Sequence, residues 1–195
     1  MIRIGILGDI GSGKSYVAKS FGYPVFNADY EVSKLYKKNK KVYQKLKKLL
    51  PEFIYQFPID KSQLSKSILA NSSNLKKIIK VVHKETQKEM LSFLNKNKNK
   101  KFVVLDIPLL IENKLNRKED ILIYVQSKKS DILKNLNKRK NFNYKIFKKF
   151  KKIQLPLAYK NKISKYVIKN EFTKRSVYNA VKKIQKEINN ENSGS

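Results

Sequence analysis

The sequence predicts an α/β fold in three layers, with helices on both faces of a central five-stranded parallel sheet. Two observations predict it. Short apolar, β-branched runs alternate along the chain with longer stretches whose apolar residues recur every three or four positions, the pattern of buried strands joined by crossover helices. The first of these runs, Ile2-Arg3-Ile4-Gly5-Ile6-Leu7, breaks at once into a glycine-rich turn and then a helical segment. A chain of 195 residues with 41% hydrophobic content is enough for one such core and a modest insertion, and two independent domains are not expected.

The elements follow in order. The first run is the first strand, and Lys14-Ser15-Tyr16-Val17-Ala18 opens the first helix. Pro24-Val25-Phe26-Asn27 reads as a short second strand, ending in Ala28-Asp29 before a helical pattern from Tyr30 to Leu50. Pro51 and Pro58 bracket a loop. Helical runs over 62–70 and 72–94 are joined by Asn71-Ser72-Ser73, a helix stop and N-cap. After the polar tract 95–101, Phe102-Val103-Val104-Leu105-Asp106 is a third buried strand, and Ile121-Leu122-Ile123-Tyr124-Val125 is the fourth. A basic helical region runs from 128 to about 162, Tyr166-Val167-Ile168 is a fifth strand, and 173–188 is a closing amphipathic helix. The tail from Asn189 is expected to be disordered.

Between the first strand and its helix, Gly8-Asp9-Ile10-Gly11-Ser12-Gly13-Lys14-Ser15 fits the phosphate-binding pattern G-x-x-x-x-G-K-[ST], with the strand before and helix after that the pattern requires. Each residue type has a reason. Glycines at 8, 11 and 13 allow positive φ and turn successive N–H groups inward, making a cradle for phosphate oxygens. Lys14 reaches the β- and γ-phosphates, and the Ser15 hydroxyl is placed to ligate a magnesium ion carried by the nucleotide. The nucleotide-binding stretch is therefore Gly8, Asp9, Ile10, Gly11, Ser12, Gly13, Lys14, Ser15 and Tyr16. A carboxylate beside a polyphosphate is repelled, so the Asp9 side chain is expected to point outward or toward another basic group.

Three further residues stand out, each with two readings. Asp29, at a strand's carboxyl end, is either a helix cap or a catalytic group. Asp106 is either a strand terminator or the carboxylate of a strand that resembles a Walker B strand. His83, the single histidine, is either a packing residue or a ligand contact.

Composition excludes several function classes. With no cysteine there is no disulfide framework, thiolate metal site or cysteine nucleophile. The apolar run at the start is too short for a secretory leader, and no stretch reaches membrane-spanning length, so a soluble cytoplasmic protein without a membrane partner is expected. The net charge of +30 suggests polyanions, yet only Arg3, Arg117, Arg139 and Arg175 are arginine among the 45 basic residues. Arginine is the side chain that reads phosphates and bases bidentately, so lysine excess spread along the chain points to non-specific polyanion affinity and no specific nucleic-acid partner.

The ordered set of motifs resembles the dephospho-coenzyme A kinases, a family of nucleoside-monophosphate-kinase-like P-loop kinases. The matching residues are 8–15; Asn27-Ala28-Asp29; Ile59-Asp60-Lys61 with Leu64; His83; Asp106-Ile107-Pro108-Leu109-Leu110-Ile111-Glu112-Asn113; Arg139; Gln154; and Val167-Ile168-Lys169-Asn170. The resemblance implies a single P-loop kinase domain over 1–190, with its core at about 1–29, 101–127 and 163–190. It adds a helical substrate-binding insertion at about 30–100, a helical lid at about 128–162 and a tail at 191–195. It further implies transfer of the ATP γ-phosphoryl group to the ribose 3′-hydroxyl of dephospho-CoA, the last step of coenzyme A synthesis. Catalysis would fall to Asp29, Lys14 and Arg139, the acceptor to Asp29, His83, Pro108, Leu109, Leu110, Glu112 and Asn113, and Mg²⁺ to Ser15 and Asp106. ATP and dephospho-CoA would be the small-molecule partners of a monomer or weak homo-oligomer. A kinase of another small acceptor, or a non-catalytic nucleotide-binding protein, are the competing readings. The chain departs from the family's usual residues at Asp9, Lys84, Asn135 and Ser164-Lys165. Loss of an arginine at 135 removes one phosphate clamp, and loss of an acid at 165 is expected to affect acceptor recognition.

Overall fold

A computed structural model describes residues 1–140 and 142–191, which fall into two compact units. The first comprises Met1–Asn27, Asn97–Phe142 and the chain from Gln154 onward; the second comprises Ala28–Lys96 and Asn143–Ile153.

The first unit holds strands β1 (Ile2–Gly8), β2 (Val25–Asn27), β3 (Phe102–Asp106), β4 (Ile121–Gln126) and β5 (Tyr166–Lys169) in one sheet of order β2-β3-β1-β4-β5. Every pairing is parallel. The sheet class is therefore the expected one. Alternation along the strands divides the core between two faces. Ile4, Ile6, Val104, Ile123 and Val125 pack with Val17 and Ala18 of α1 (Lys14–Ser20), with Phe21 at its C-cap, and with Val177, Val181, Ile184 and Ile188 of α9 (Lys174–Glu191). The spacing 177, 181, 184, 188 is the apolar stripe of a helix laid on a sheet. On the other face Leu110 lies against Gly5, where an added Cβ would stand 2.6 Å from Leu110 Cδ2. α6 (Lys129–Asn137) and α8 (Leu157–Lys162) complete this unit.

The second unit is helical, with α2 (Ala28–Lys38), α3 (Lys40–Leu49), α4 (Lys61–Ala70), α5 (Ser72–Lys96) and α7 (Tyr144–Lys152). Its core gathers Leu35, Val42, Leu46, Ile54, Leu64, Ile68, Leu75, Ile78 and Val82, with Ile146, Phe150 and Ile153 packed against it.

Three local expectations are corrected. The helix expected from Tyr30 to Leu50 is two, because Asn39 leaves helical geometry (φ −97°, ψ 96°) and its side chain accepts the Val42 amide at 3.0 Å, capping α3. The basic region 128–162 is three helices. Asn143 caps α7 by accepting the Ile146 amide, Pro156 precedes α8, and α7 belongs to the second unit while α6 and α8 belong to the first. The last helix runs on to Glu191, so residues 189–191 are helical and the rest of the expected tail, 192–195, lies outside the described residues. Among the described residues no helix is long and apolar enough to cross a membrane.

Candidate active site

The central strand β1 ends in Gly8, and the sheet's carboxyl edge presents Asn27, Asp106 and Gln126 from β2, β3 and β4 around it. Gly8, Gly11 and Gly13 all have positive φ, at 148°, 84° and 88°. At Gly8 a Cβ would sit 2.7 Å from the Val125 carbonyl oxygen, so neighbouring backbone as well as conformation demands glycine. The Ser12 amide donates to the Asp9 carbonyl at 3.2 Å, closing the turn. Lys14 is 9% exposed and curls over the loop, its Nζ donating to the carbonyls of Asp9 (2.6 Å) and Gly8 (3.3 Å). Ser15 and Tyr16 are exposed.

Asp9 does not point outward. It is 9% exposed, and its Oδ1 accepts the Ile10 amide at 2.7 Å. A short carboxylate can satisfy the next amide but one or its immediate neighbour locally, and here it turns back into the loop. Burial first, and the Asp9 charge second, push the Tyr124 hydroxyl above its ordinary pKa.

Asp106 is 3% exposed at the end of β3, and its Oδ2 accepts from the Asn27 side-chain amide across the β2–β3 pair, where Asn27 and Asp106 are register partners. The strand carrying Asn27 is separated from β1 by β3. In the second unit, Asp29 lies in the first turn of α2, one residue inside its start. It is exposed, and its charge, after burial, contributes to the raised pKa of the Tyr36 hydroxyl. His83, also in the second unit, is half-buried on α5, with Nε2 buried and lacking a hydrogen-bond partner among the described residues.

The segment 107–115 divides into structural and accessible residues. Leu110 is 0% exposed and is a core residue packed on Gly5, which corrects its expected contact with an acceptor. The Glu112 carboxylate pairs with Lys160 at 2.6 Å, their side chains 9% and 1% exposed, and also accepts the Leu155 amide at 3.0 Å. Nothing local marks Lys160 as a buried partner: it sits in the lysine-rich run Leu157–Lys162, and its mate is 48 positions away. Glu112 Oε2 is buried with no hydrogen bond to another described residue. Pro108, Leu109 and Asn113 remain half-buried.

The arginines are put to different uses. Arg3 donates to Asp120 (2.9 Å) and the Leu115 carbonyl (2.8 Å) inside the first unit, 5% exposed, so it is structural. Burial lowers the Arg3 pKa and raises that of Asp120, each toward its neutral form, against the attraction between them. Arg139 is exposed in the turn after α6, where its amide donates to the Leu136 carbonyl. Asn135, standing where an arginine was expected, donates to the Asp131 carbonyl one turn back along α6. Lys165 precedes β5, its amide bonding the Leu122 carbonyl and its Nζ pairing with Glu191. That is the amino edge of the sheet, whereas the phosphate loop lies at its carboxyl edge.

The family model described as dephospho-CoA kinase matches residues 2–175. The dephospho-CoA kinase of Wolbachia sp. subsp. Brugia malayi (strain TRS) is 34% identical over 186 residues, covering 93% of this chain and 95% of that protein. Among solved structures, TT1252 from Thermus thermophilus superposes with a TM-score of 0.75 at 26% identity, over 95% of this chain and 97% of its own. Dephospho-CoA kinase from Campylobacter jejuni shares the fold with a TM-score of 0.62 at 21% identity, over 95% and 96%.

Proposed function

The chain belongs to the dephospho-CoA kinase family, and we propose that it transfers the γ-phosphoryl group of ATP to the ribose 3′-hydroxyl of dephospho-CoA with Lys14, Arg139 and Asp29 as its reacting-centre residues. The observation that carries this reading is the phosphate loop at the end of the central strand, with Lys14 folded over it and the Asp106 carboxylate at the end of the neighbouring strand. Phosphoryl transfer asks the protein for positioning and for charge that offsets the charge spread over the moving group. Lys14 supplies that charge at the β- and γ-phosphates. Asp29 accepts the proton of the 3′-hydroxyl and aims its oxygen at phosphorus. His83, Pro108, Leu109 and Asn113 are the proposed acceptor contacts, supported at His83 by its unpartnered ring nitrogen.

Magnesium fits the donor set. Ser15 and Asp106 offer oxygen atoms, the ligands that hard cation prefers, and among the described residues no group of three or more His, Cys, Asp or Glu makes a metal cage by itself. Ser15, and Asp106 through water, would hold the ion, which would supply charge neutralisation for the phosphates of ATP. The remaining partners are ATP and dephospho-CoA, in a cytoplasmic monomer or weak homo-oligomer without a specific nucleic-acid ligand. ADP release measured with dephospho-CoA against nucleoside and nucleotide acceptors tests the assignment.

Two expected results belong to this reading. Arg139→Ala lowers kcat by roughly tenfold or more and leaves the KM for ATP within about threefold, because a guanidinium closing on the phosphates acts in the transition state. A raised KM with unchanged kcat would assign Arg139 to ground-state binding instead. Asp9→Asn keeps an acceptor for the Ile10 amide but removes a negative charge beside the triphosphate, so the KM for ATP falls by about threefold or more. Steady-state titration of ATP reads it, and a higher KM would mean that the carboxylate organises the loop.

A further inference from the structure

We propose that Asn170 and Ser127 are positioning residues that set the ATP affinity of the phosphate loop by fixing the Ser12–Gly13 peptide, an inference that rests on reading residues 8–15 as the nucleotide site. The Ser12 carbonyl oxygen accepts two hydrogen bonds, from the Ser127 hydroxyl at 3.0 Å and from Asn170 Nδ2 at 2.9 Å. A carbonyl oxygen has two lone pairs, so both are engaged. The peptide is planar and trans, so directing the Ser12 C=O toward Ser127 and Asn170 directs the Gly13 N–H the opposite way, out toward the phosphates that the loop cradles.

The donors sit where the sheet can hold them. Ser127 is the first residue after β4 and Asn170 the first after β5, so two rigid strands deliver both to the loop. Asn170 is 2% exposed, and its own orientation is fixed because Oδ1 accepts the Phe172 amide at 2.9 Å, leaving Nδ2 as the atom that faces Ser12. The fit is close. A Cβ on Gly13 would stand 2.2 Å from Asn170 Nδ2, so glycine at 13 answers to this side chain as well as to its φ of +88°. Sequence separations of 115 and 158 residues hide the arrangement from any local pattern.

The test uses the full chain and two probes, ATP and inorganic tripolyphosphate, with binding measured by calorimetry beside melting temperature and the KM for dephospho-CoA. Asn170→Asp keeps the size of the side chain and the acceptor for Phe172 but places a carboxylate oxygen against the Ser12 carbonyl. It is expected to weaken ATP and tripolyphosphate alike by about tenfold or more, with the acceptor KM within about twofold. Ser127→Ala is expected to weaken both probes by about threefold, and Ser127→Thr, which retains the hydroxyl, recovers most of that loss. Wild-type affinity in Asn170→Asp, or losses that track melting temperature and fall equally on the acceptor, overturns the proposal. If Asn170→Asp does not fold, the Ser127→Ala and Ser127→Thr pair decides it on the same criteria. Because binding is read without turnover, a wild type that binds both probes yet leaves dephospho-CoA unchanged overturns the acceptor assignment alone.

Discussion

Lys14→Ala is expected to lower turnover by on the order of a hundredfold or more, since it removes the positive charge that faces the transferring phosphoryl group and phosphoryl transfer depends on electrostatic stabilisation. The lysine's two internal hydrogen bonds complicate a simple reading. With Nζ donating to the Asp9 and Gly8 carbonyls, the alanine also loosens the loop. Lys14→Met retains the buried aliphatic stem while removing the ammonium with its charge and both hydrogen bonds, so it separates the loss of side-chain packing from the loss of that group. Both variants should fall by a similar factor in single-turnover measurements at saturating ATP. Turnover near wild type in either one would sink the phosphate-loop assignment.

Asp29→Asn is expected to cost a comparable factor in kcat, roughly a hundredfold or more, with folding and ATP binding nearly intact. The amide cannot accept the 3′-hydroxyl proton and lacks the charge that orients it. Stability should change by less than about 1 kcal/mol, because asparagine keeps the size of this exposed side chain and an acceptor oxygen in the first turn of α2. Melting temperature, ATP affinity and turnover on one preparation distinguish the roles. If turnover stays within a few-fold of wild type, Asp29 is not the base, and Asp106 is the next carboxylate to replace.

The sheet was legible because each strand is an apolar run closed by a residue that stops it: Ile2 to Leu7 by Gly8, Phe102 to Leu105 by Asp106, Ile121 to Val125 by Gln126 and Ser127. The order β2-β3-β1-β4-β5 was not, because alternation of strand and helix requires parallel neighbours without saying which strands pair. The break at Asn39 was masked by lysines on both sides, which suit a helix interior, although asparagine there is the side chain that caps α3. Similarly, Asn143 and Pro156 divide the basic helical region at breaks that its lysine-rich composition does not mark.

The phosphate loop could be read outright, since its residues are consecutive and each has a separate chemical reason. What supports the loop could not. Ser127, Asn170 and Lys160 act through partners 48 to 158 positions distant, and although Asn170 closes the family-like run Val167-Ile168-Lys169-Asn170, nothing beside any of the three names its partner. Leu110 and Glu112 show the converse. They belong to the stretch that most resembles the family, yet one fills the core against Gly5 and the other holds Lys160 and the Leu155 amide. A motif can therefore mark a site partly through the residues that build its walls.

The most direct measurement of the central claim is ADP release by the purified chain with ATP and magnesium, comparing dephospho-CoA with shikimate, nucleosides and nucleoside monophosphates as acceptors. Dephospho-CoA alone should give sustained turnover, with a product phosphorylated at the ribose 3′-hydroxyl, coenzyme A. Turnover on a nucleoside or nucleotide with none on dephospho-CoA, or ATP binding with no transfer to any acceptor, would contradict that claim.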